Sequence, residues 1–314
     1  MDIILNSIIF SLIFTLTPIL VIYYKGGKCK YLSSIIWGII SLLLNILILR
    51  ATKIEINMIA CISTTIVATL VNIGIIKGSI NSKKFLKLLI VLCLFFFSSI
   101  FQLIPIRLFN MDTKNISSAQ DVLLTAFSDL VIIMILAYMY RNEIKKQFND
   151  FTKNLNKYAD TAFKYWLIGL GVMVISNLII NFFIPSASAN NEQQVQQMIH
   201  SIPLVSIFCI GFLAPMIEEM IFRKAFFDAF NKKWVFILVS SLVFGSLHVV
   251  LSLTSPWDLL YIIPYTALGM SFAFTMAKTN NVFPSMLVHM FHNTSLTIVS
   301  IVGTTKAFMV MFLW

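Results

Sequence analysis

Three short stretches hold the residues able to do chemistry. Glu218 and Glu219 are adjacent, with Arg223 four residues beyond the second of them. His248 closes the run Phe244–His248, and His289 and Asn293 sit four residues apart in the run His289–Asn293. All of them lie in apolar surroundings. A charged side chain near a bilayer centre costs about 2.5–3.5 kcal/mol on insertion scales, so such residues default to a functional reading. A glutamate and a histidine together can hold and deprotonate a water, the task of hydrolysis. A second histidine and an asparagine amide suit a developing oxyanion as donors. Glu218, His248 and His289 are also a zinc ligand set with water in the fourth position, although the tight H-E-x-x-H spacing is absent. The serine motif G-x-S-x-G does not occur.

The elements that must position these residues are membrane helices. The chain has 314 residues, 59% hydrophobic and only 11% charged. Soluble domains carry about 25% charged residues. Apolar runs of spanning length recur throughout, at about 3–24, 31–49, 56–76, 85–106, 122–140, 162–184, 202–230, 234–251, 258–277 and 282–302. The expected fold is therefore all-α, a polytopic bundle of about ten spans (range 8–10). The net charge of +10 belongs to loops, not to a nucleic-acid surface. Of the 23 basic residues, 18 fall on one set of alternate loops and 5 on the other, which predicts both termini outside. The four cysteines are scattered singly and suggest neither a disulfide framework nor a thiolate metal site.

The spacing of the polar residues fits one site. Glu218 and His248 are each 15 residues from Lys233, where two successive spans turn. Antiparallel helices then place both at one depth, about 22 Å from the turn. His289 and Asn293 share a helix face. Glu219 lies about 100° round from Glu218, so only one of the pair can point fully at the histidines. Glu219 and Arg223 can pair with each other and leave Glu218 free.

Outside the constellation, Ile144, Phe148, Phe151, Leu155 and Tyr158 recur at helical spacing between lysines, which predicts an amphipathic helix on the inner leaflet. It divides the chain into 1–140, N-terminal helices of no assigned role, a connector at 141–160, a core at 161–302 and an apolar tail at 303–314. The polar stretch 186–200, with His200, is expected to be a solvated loop. Asp129, in the middle of a span, is a further carboxylate, read as locally hydrogen-bonded, as facing a water-lined groove, or as a separate ion site.

E-E-x-x-x-R, F-x-x-x-H and H-x-x-x-N, in this order on successive spans, resemble the CAAX-protease and bacteriocin-processing family of intramembrane proteases, also called CPBP or Abi. Here they are Glu218-Glu219…Arg223, Phe244…His248 and His289…Asn293. The resemblance covers roughly residues 162–302. It implies a helical membrane endopeptidase in which Glu218 and His248 activate water and His289 and Asn293 stabilise the oxyanion; the Glu219–Arg223 pair is read from its spacing as structural support. Many members are labelled metalloproteases, and a metal-free glutamate mechanism is argued for the prenyl-protein members, so zinc is one of two alternatives. One departure is Lys224, where a glycine often follows the motif arginine.

The expected function is hydrolysis of a peptide bond in a peptide or protein substrate at the bilayer of a bacterial cell membrane, with no nucleic-acid partner. Peptide or bacteriocin maturation, immunity and CAAX-type processing are the open substrate classes. The alternatives are a non-catalytic immunity or regulatory binding protein and, motivated by Asp129, a transporter.

Overall fold

The computed structural model describes residues 70–302, apart from 72, 185–189 and 251–254, and only the backbone of 190–194. The first two expected spans, most of the third and the apolar C-terminal tail lie outside the described residues. Apart from one isolated bridge, Ile80 to Phe230, the regular secondary structure among the described residues is all helical. In chain order the helices are α1 (Ser82–Phe96), α2 (Leu103–Leu108), α3 (Ser118–Met139), α4 (Arg141–Lys153), α5 (Leu155–Phe183), α6 (Asn190–Ser201), α7 (Pro203–Ala229), α8 (Lys233–Val250), α9 (Pro256–Thr279) and α10 (Val282–Val302).

Five of these, α3, α5, α7, α8 and α9, are long and apolar enough to cross a membrane, and a sixth is reached if the broken pair Ser82–Phe96 and Ser98–Leu108 counts as one span. The chain is a multi-pass membrane protein. Its outward faces match: Phe182, Leu204, Leu178 and Ile179 are large, apolar and exposed, as a lipid-facing surface requires.

The chain forms two compact units. One holds the described residues up to Phe96 together with Ala225–Phe236; the other holds Phe97–Lys224 and the residues from Ile237 onward. In the first, α1 packs on the end of α7, with Phe85 edge-on to Phe230 at 6.2 Å. Asn231 ties this unit's turn, donating from its side chain to the Gly78 carbonyl at 2.9 Å. Gly78 has φ +68°, a backbone conformation that favours glycine.

In the second unit, α5, α9 and α10 share a core of Ala162, Met173, Leu268, Phe272 and Val288. Small residues set the helix spacing, as is common in membranes. A Cβ at Gly169 would fall 2.7 Å from the Ser271 Cβ, so α5 and α9 touch there. A Cβ at Gly245 of α8 would fall 2.7 Å from the Thr266 backbone nitrogen and closer still to its hydroxyl. Gly245 lies three residues before His248, so this contact sets the depth of α8 against α9.

The amphipathic segment is shorter than the pattern suggests. α4 ends at Lys153, and Leu155 and Tyr158 already belong to α5. Its aromatic face is not simply laid on lipid, because Phe148 and Phe151 pack on Phe283 at 5.4 and 5.8 Å. Asn281, in the turn between α9 and α10, donates to the Gln147 carbonyl at 2.7 Å and to Asp150 at 3.1 Å. Tyr158 donates to the same Asp150 oxygen at 2.7 Å. α4 is therefore a strap that fixes the start of α10, the helix carrying His289 and Asn293. The stretch expected as a solvated loop is also helical in large part, as α6, and Ser206 of α7 closes onto it by donating to the Met198 carbonyl.

Two predictions follow from this packing. Gly245→Ala overpacks the α8–α9 contact, for which about 1–3 kcal/mol is the usual cost; thermal unfolding in detergent should show an apparent Tm several degrees lower, and an unchanged Tm would refute the tight contact. The hydrogen bond from Tyr158, with that from Asn281, holds Asp150 below the ordinary carboxylate range. A lowered folded-state value stabilises the strap above the unfolded value, about 3.9, and that stabilisation is lost as pH falls through the folded value. Amide protection at 147–153, corrected for intrinsic exchange, should drop below about pH 4 in the wild type and be weak and pH-independent in Asp150→Asn.

Candidate active site

The site begins with how α7 is wound. Two π-helical turns, Cys209–Leu213 and Glu219–Ala225, flank the α-helical turn Ala214–Glu218. A π turn leaves carbonyls free to bond elsewhere, and such turns are frequent at functional sites. The first one is used: Asn293 of α10 donates to the Ile210 carbonyl at 3.1 Å, and the Thr294 hydroxyl donates to the Gly211 carbonyl at 3.4 Å. Gly211 leaves room for this, since a Cβ there would meet Thr294.

The second π turn carries Glu219 and Arg223. Both are fully buried, and Arg223 Nε lies 3.4 Å from Glu219 Oε1. The guanidinium sits over the rings of Phe244, at 4.6 Å, and Phe272, at 5.5 Å. The same Glu219 oxygen is 3.0 Å from His289 Nδ1. His289 Nε2 faces Glu218 Oε2 at 3.5 Å. The expectation that one glutamate alone would face the histidines is thus corrected. The ring of His289 inserts between the two carboxylates and meets each through a different nitrogen. Phe272 stacks on that ring at 4.5 Å and fixes its plane.

The two carboxylates are not equivalent. The Glu219 side chain has no exposure, whereas Glu218 keeps 17%. Glu218 Oε2 and Glu219 Oε2 are both buried and accept no hydrogen bond among the described residues, so what separates the two is that Glu219 pairs with Arg223 and only Glu218 lines a cavity. With His289 Nδ1 assigned as donor to Glu219, the contact from Nε2 to Glu218 becomes a hydrogen bond only if a proton lies between them. That shared position suits a group that moves protons.

Glu218, His248, His289 and Asn293 all line one cavity of about 310 Å³. His248 bonds through Nδ1 to the Phe244 carbonyl, 2.9 Å away in its own helix, and stacks on Tyr265 at 4.9 Å. That assigns its proton to Nδ1 and leaves Nε2 as the acceptor. Asn293 has used one amide hydrogen on Ile210 and keeps a second. Other walls were not legible as parts of the site. Asp129 and Thr125 come from α3, Met198 and Ile199 from α6, and His292 from α10, where it packs edge-on to Trp166. The cavity extends toward the end of α10 that holds Ser300, away from the Asn281 end. Among the described residues no group of three His, Cys, Asp or Glu side chains is placed to hold a metal ion. The donor types of Glu218, His248 and His289 suit zinc, but their arrangement does not assemble its ligand shell.

With this geometry in view, residues 200–295 match the family model for Rce1-like proteins, described as type II CAAX prenyl endopeptidase Rce1-like. This segment is Rce1-like. It contains all seven motif residues and begins inside α6. The resemblance drawn from the motifs and the family model agree. The chain is 33% identical over 116 residues to the Bacillus subtilis (strain 168) protein named "Putative membrane peptidase YdiL", spanning 36% of this chain and 44% of that one. It is 24% identical over 166 residues to UPF0177 protein YxdF of Lactococcus lactis subsp. lactis (strain IL1403), spanning 51% of this chain and 85% of that one. A third relative, an uncharacterized protein of Mycoplasma capricolum subsp. capricolum, is 28% identical over 201 residues, 58% of its length. The chain thus spans less than half of the first of these relatives. No solved structure matches. α3, with Asp129, and α5 lie outside the Rce1-like segment.

Breaking a buried ion pair by deleting one partner costs about 3–5 kcal/mol, because the other charge stays buried alone. Arg223→Ala should therefore destabilise the protein by about that amount. The double variant Glu219→Gln/Arg223→Met, which removes both charges, should unfold at a higher temperature than Arg223→Ala. The reverse order in detergent thermal melts would refute the supporting pair.

Proposed function

We propose that the chain is an intramembrane endopeptidase that hydrolyses a peptide bond with a water activated by Glu218 and His248. The observation that carries this reading is a single one. A carboxylate oxygen with no hydrogen bond faces a cavity, beside a histidine whose other nitrogen is fixed by a buried Glu–Arg pair.

In this reading Glu218 takes the proton of a water that His248 Nε2 orients by accepting its other hydrogen. The hydroxide attacks the scissile carbonyl, and a C–O bond forms. The oxygen of the tetrahedral intermediate accepts from the remaining Asn293 amide hydrogen and, from a His289 ring carrying a proton on each nitrogen, from Nε2–H. Glu218 then returns its proton to the amide nitrogen as the C–N bond breaks. Donors preset in a site that excludes bulk water stabilise such an oxyanion strongly. Glu219 and Arg223 touch no reacting atom; they hold the His289 ring in its plane with a proton on Nδ1. No step needs a metal, in keeping with the arrangement of the three candidate ligands.

The family match and the relative named a membrane peptidase support peptide-bond chemistry. A bacterial substrate at the membrane, in peptide maturation, immunity or CAAX-type processing, fits the same site. Glu218→Gln and His248→Ala should each lower kcat/KM on a membrane peptide by about a thousandfold or more. Chelators such as 1,10-phenanthroline should leave wild-type cleavage unchanged. Cleavage surviving in Glu218→Gln would sink the mechanism. Cleavage lost to the chelator and restored by zinc would replace it with a metal-dependent one.

A further inference from the structure

Asp129 sits midway along α3, a span whose mean hydropathy is 2.3. The only other charged residue of that helix is Asp121, in the first turn. A carboxylate at such a depth is retained at a cost of a few kcal/mol and calls for a use. The structure does not give it a separate site. Asp129 lines the same cavity as Glu218, close enough for the two charges to act on each other. Thr125, one helical turn before it, lines the cavity too. Among the described residues Asp129 has no hydrogen bond and no ion pair, unlike Glu219 with its arginine.

The rest of the wall sharpens the point. Among the described residues the cavity is lined by Asp129, Glu218, the histidines His248, His289 and His292, other polar groups, and apolar side chains such as Met173, Met198 and Ile199, with no lysine or arginine among them. The nearby guanidinium of Arg223 is committed to Glu219. The hydrolytic chemistry uses Glu218 and leaves Asp129 idle. A carboxylate facing a largely apolar cavity with no ion-pair partner among the described residues is complementary to a cation brought in by the occupant. In a peptide, that cation is a lysine or arginine side chain, whose long apolar stem also suits the methionine and isoleucine lining.

We propose that Asp129 determines specificity: its carboxylate binds a lysine or arginine side chain next to the scissile bond of the peptide held in this cavity. The inference rests on the endopeptidase reading for the word "scissile", and on the cavity alone for the binding. Asp129 lies outside the Rce1-like segment, so the preference belongs to this chain's own first half.

The test uses the full-length protein in detergent and a leucine–alanine host peptide of transmembrane length. One position is varied as lysine, norleucine or glutamate, and that position is scanned along the host. Wild type should cleave the lysine peptide about tenfold faster or more than the norleucine peptide at one register. In Asp129→Asn the two should be cut at equal rates, and Asp129→Lys should prefer glutamate. Wild type that cleaves without a lysine preference at any register, or Asp129→Asn that keeps the preference, overturns the proposal while leaving the protease reading intact. If wild type cleaves none of the hosts, it is the protease reading that fails on them. The proposal is then decided by binding of the same fluorescently labelled peptides. Tighter binding of the lysine peptide by wild type, lost in Asp129→Asn, supports it, and equal binding of the lysine and norleucine peptides by wild type overturns it.

Discussion

The constraint on which the structure depends is that a guanidinium has been buried completely inside a membrane bundle. Arg223 has no exposed side-chain surface, and neither has the carboxylate beside it. Neither charge is tolerable there alone, because the desolvation of each is repaid only by the other and by well-placed neighbours. Those neighbours come from several helices. Phe244 and Ser240 are on α8, Phe272 is on α9 and His289 is on α10. The pair on α7 therefore dictates which faces of α8, α9 and α10 meet, and the chemistry of the site is a by-product of satisfying it. His289 is held in one plane with a proton on Nδ1 because a buried anion demands a donor at that point.

The division of labour between the adjacent glutamates follows. They differ by one position in sequence and by almost everything in environment. They share His289, but Glu219 also has the Arg223 cation, whereas Glu218 has a cavity in front of it. Lys224, where relatives of this motif often have glycine, is itself buried and lies near the Tyr140 ring at 5.6 Å. Its side chain thus fills space at the α3–α4 junction and stays out of the cavity.

Positioning α10 is the second requirement, since it supplies His289, His292 and Asn293. Its start is tied by the α4 strap through Asn281, and its middle is tied to the π turn of α7 through Asn293 and Thr294. Asn293 is thereby both a helix–helix tether and a wall of the cavity. A residue with two amide hydrogens can hold the two roles at once.

The sequence by itself determined the class of the fold and the seven motif residues. Membrane helices are legible because the bilayer imposes length and apolarity on each segment separately, and a buried charge in such a segment stands out against that background. The equal spacing of Glu218 and His248 from Lys233 leads one to expect both at one depth, and both line the same cavity. What only the tertiary structure decided is what depends on contacts between distant segments. The insertion of His289 between Glu218 and Glu219 required the π turns of α7, which no residue pattern announces. The membership of Asp129 in the same cavity required α3 to pack against α7, and helix–helix packing in membranes leaves no hydrophobic stripe to read. The role of α4 as a strap came from Phe283 and Asn281, more than a hundred residues away in sequence. Local composition sets what each segment is; which side chains meet is set by packing, whose partners lie elsewhere in the chain.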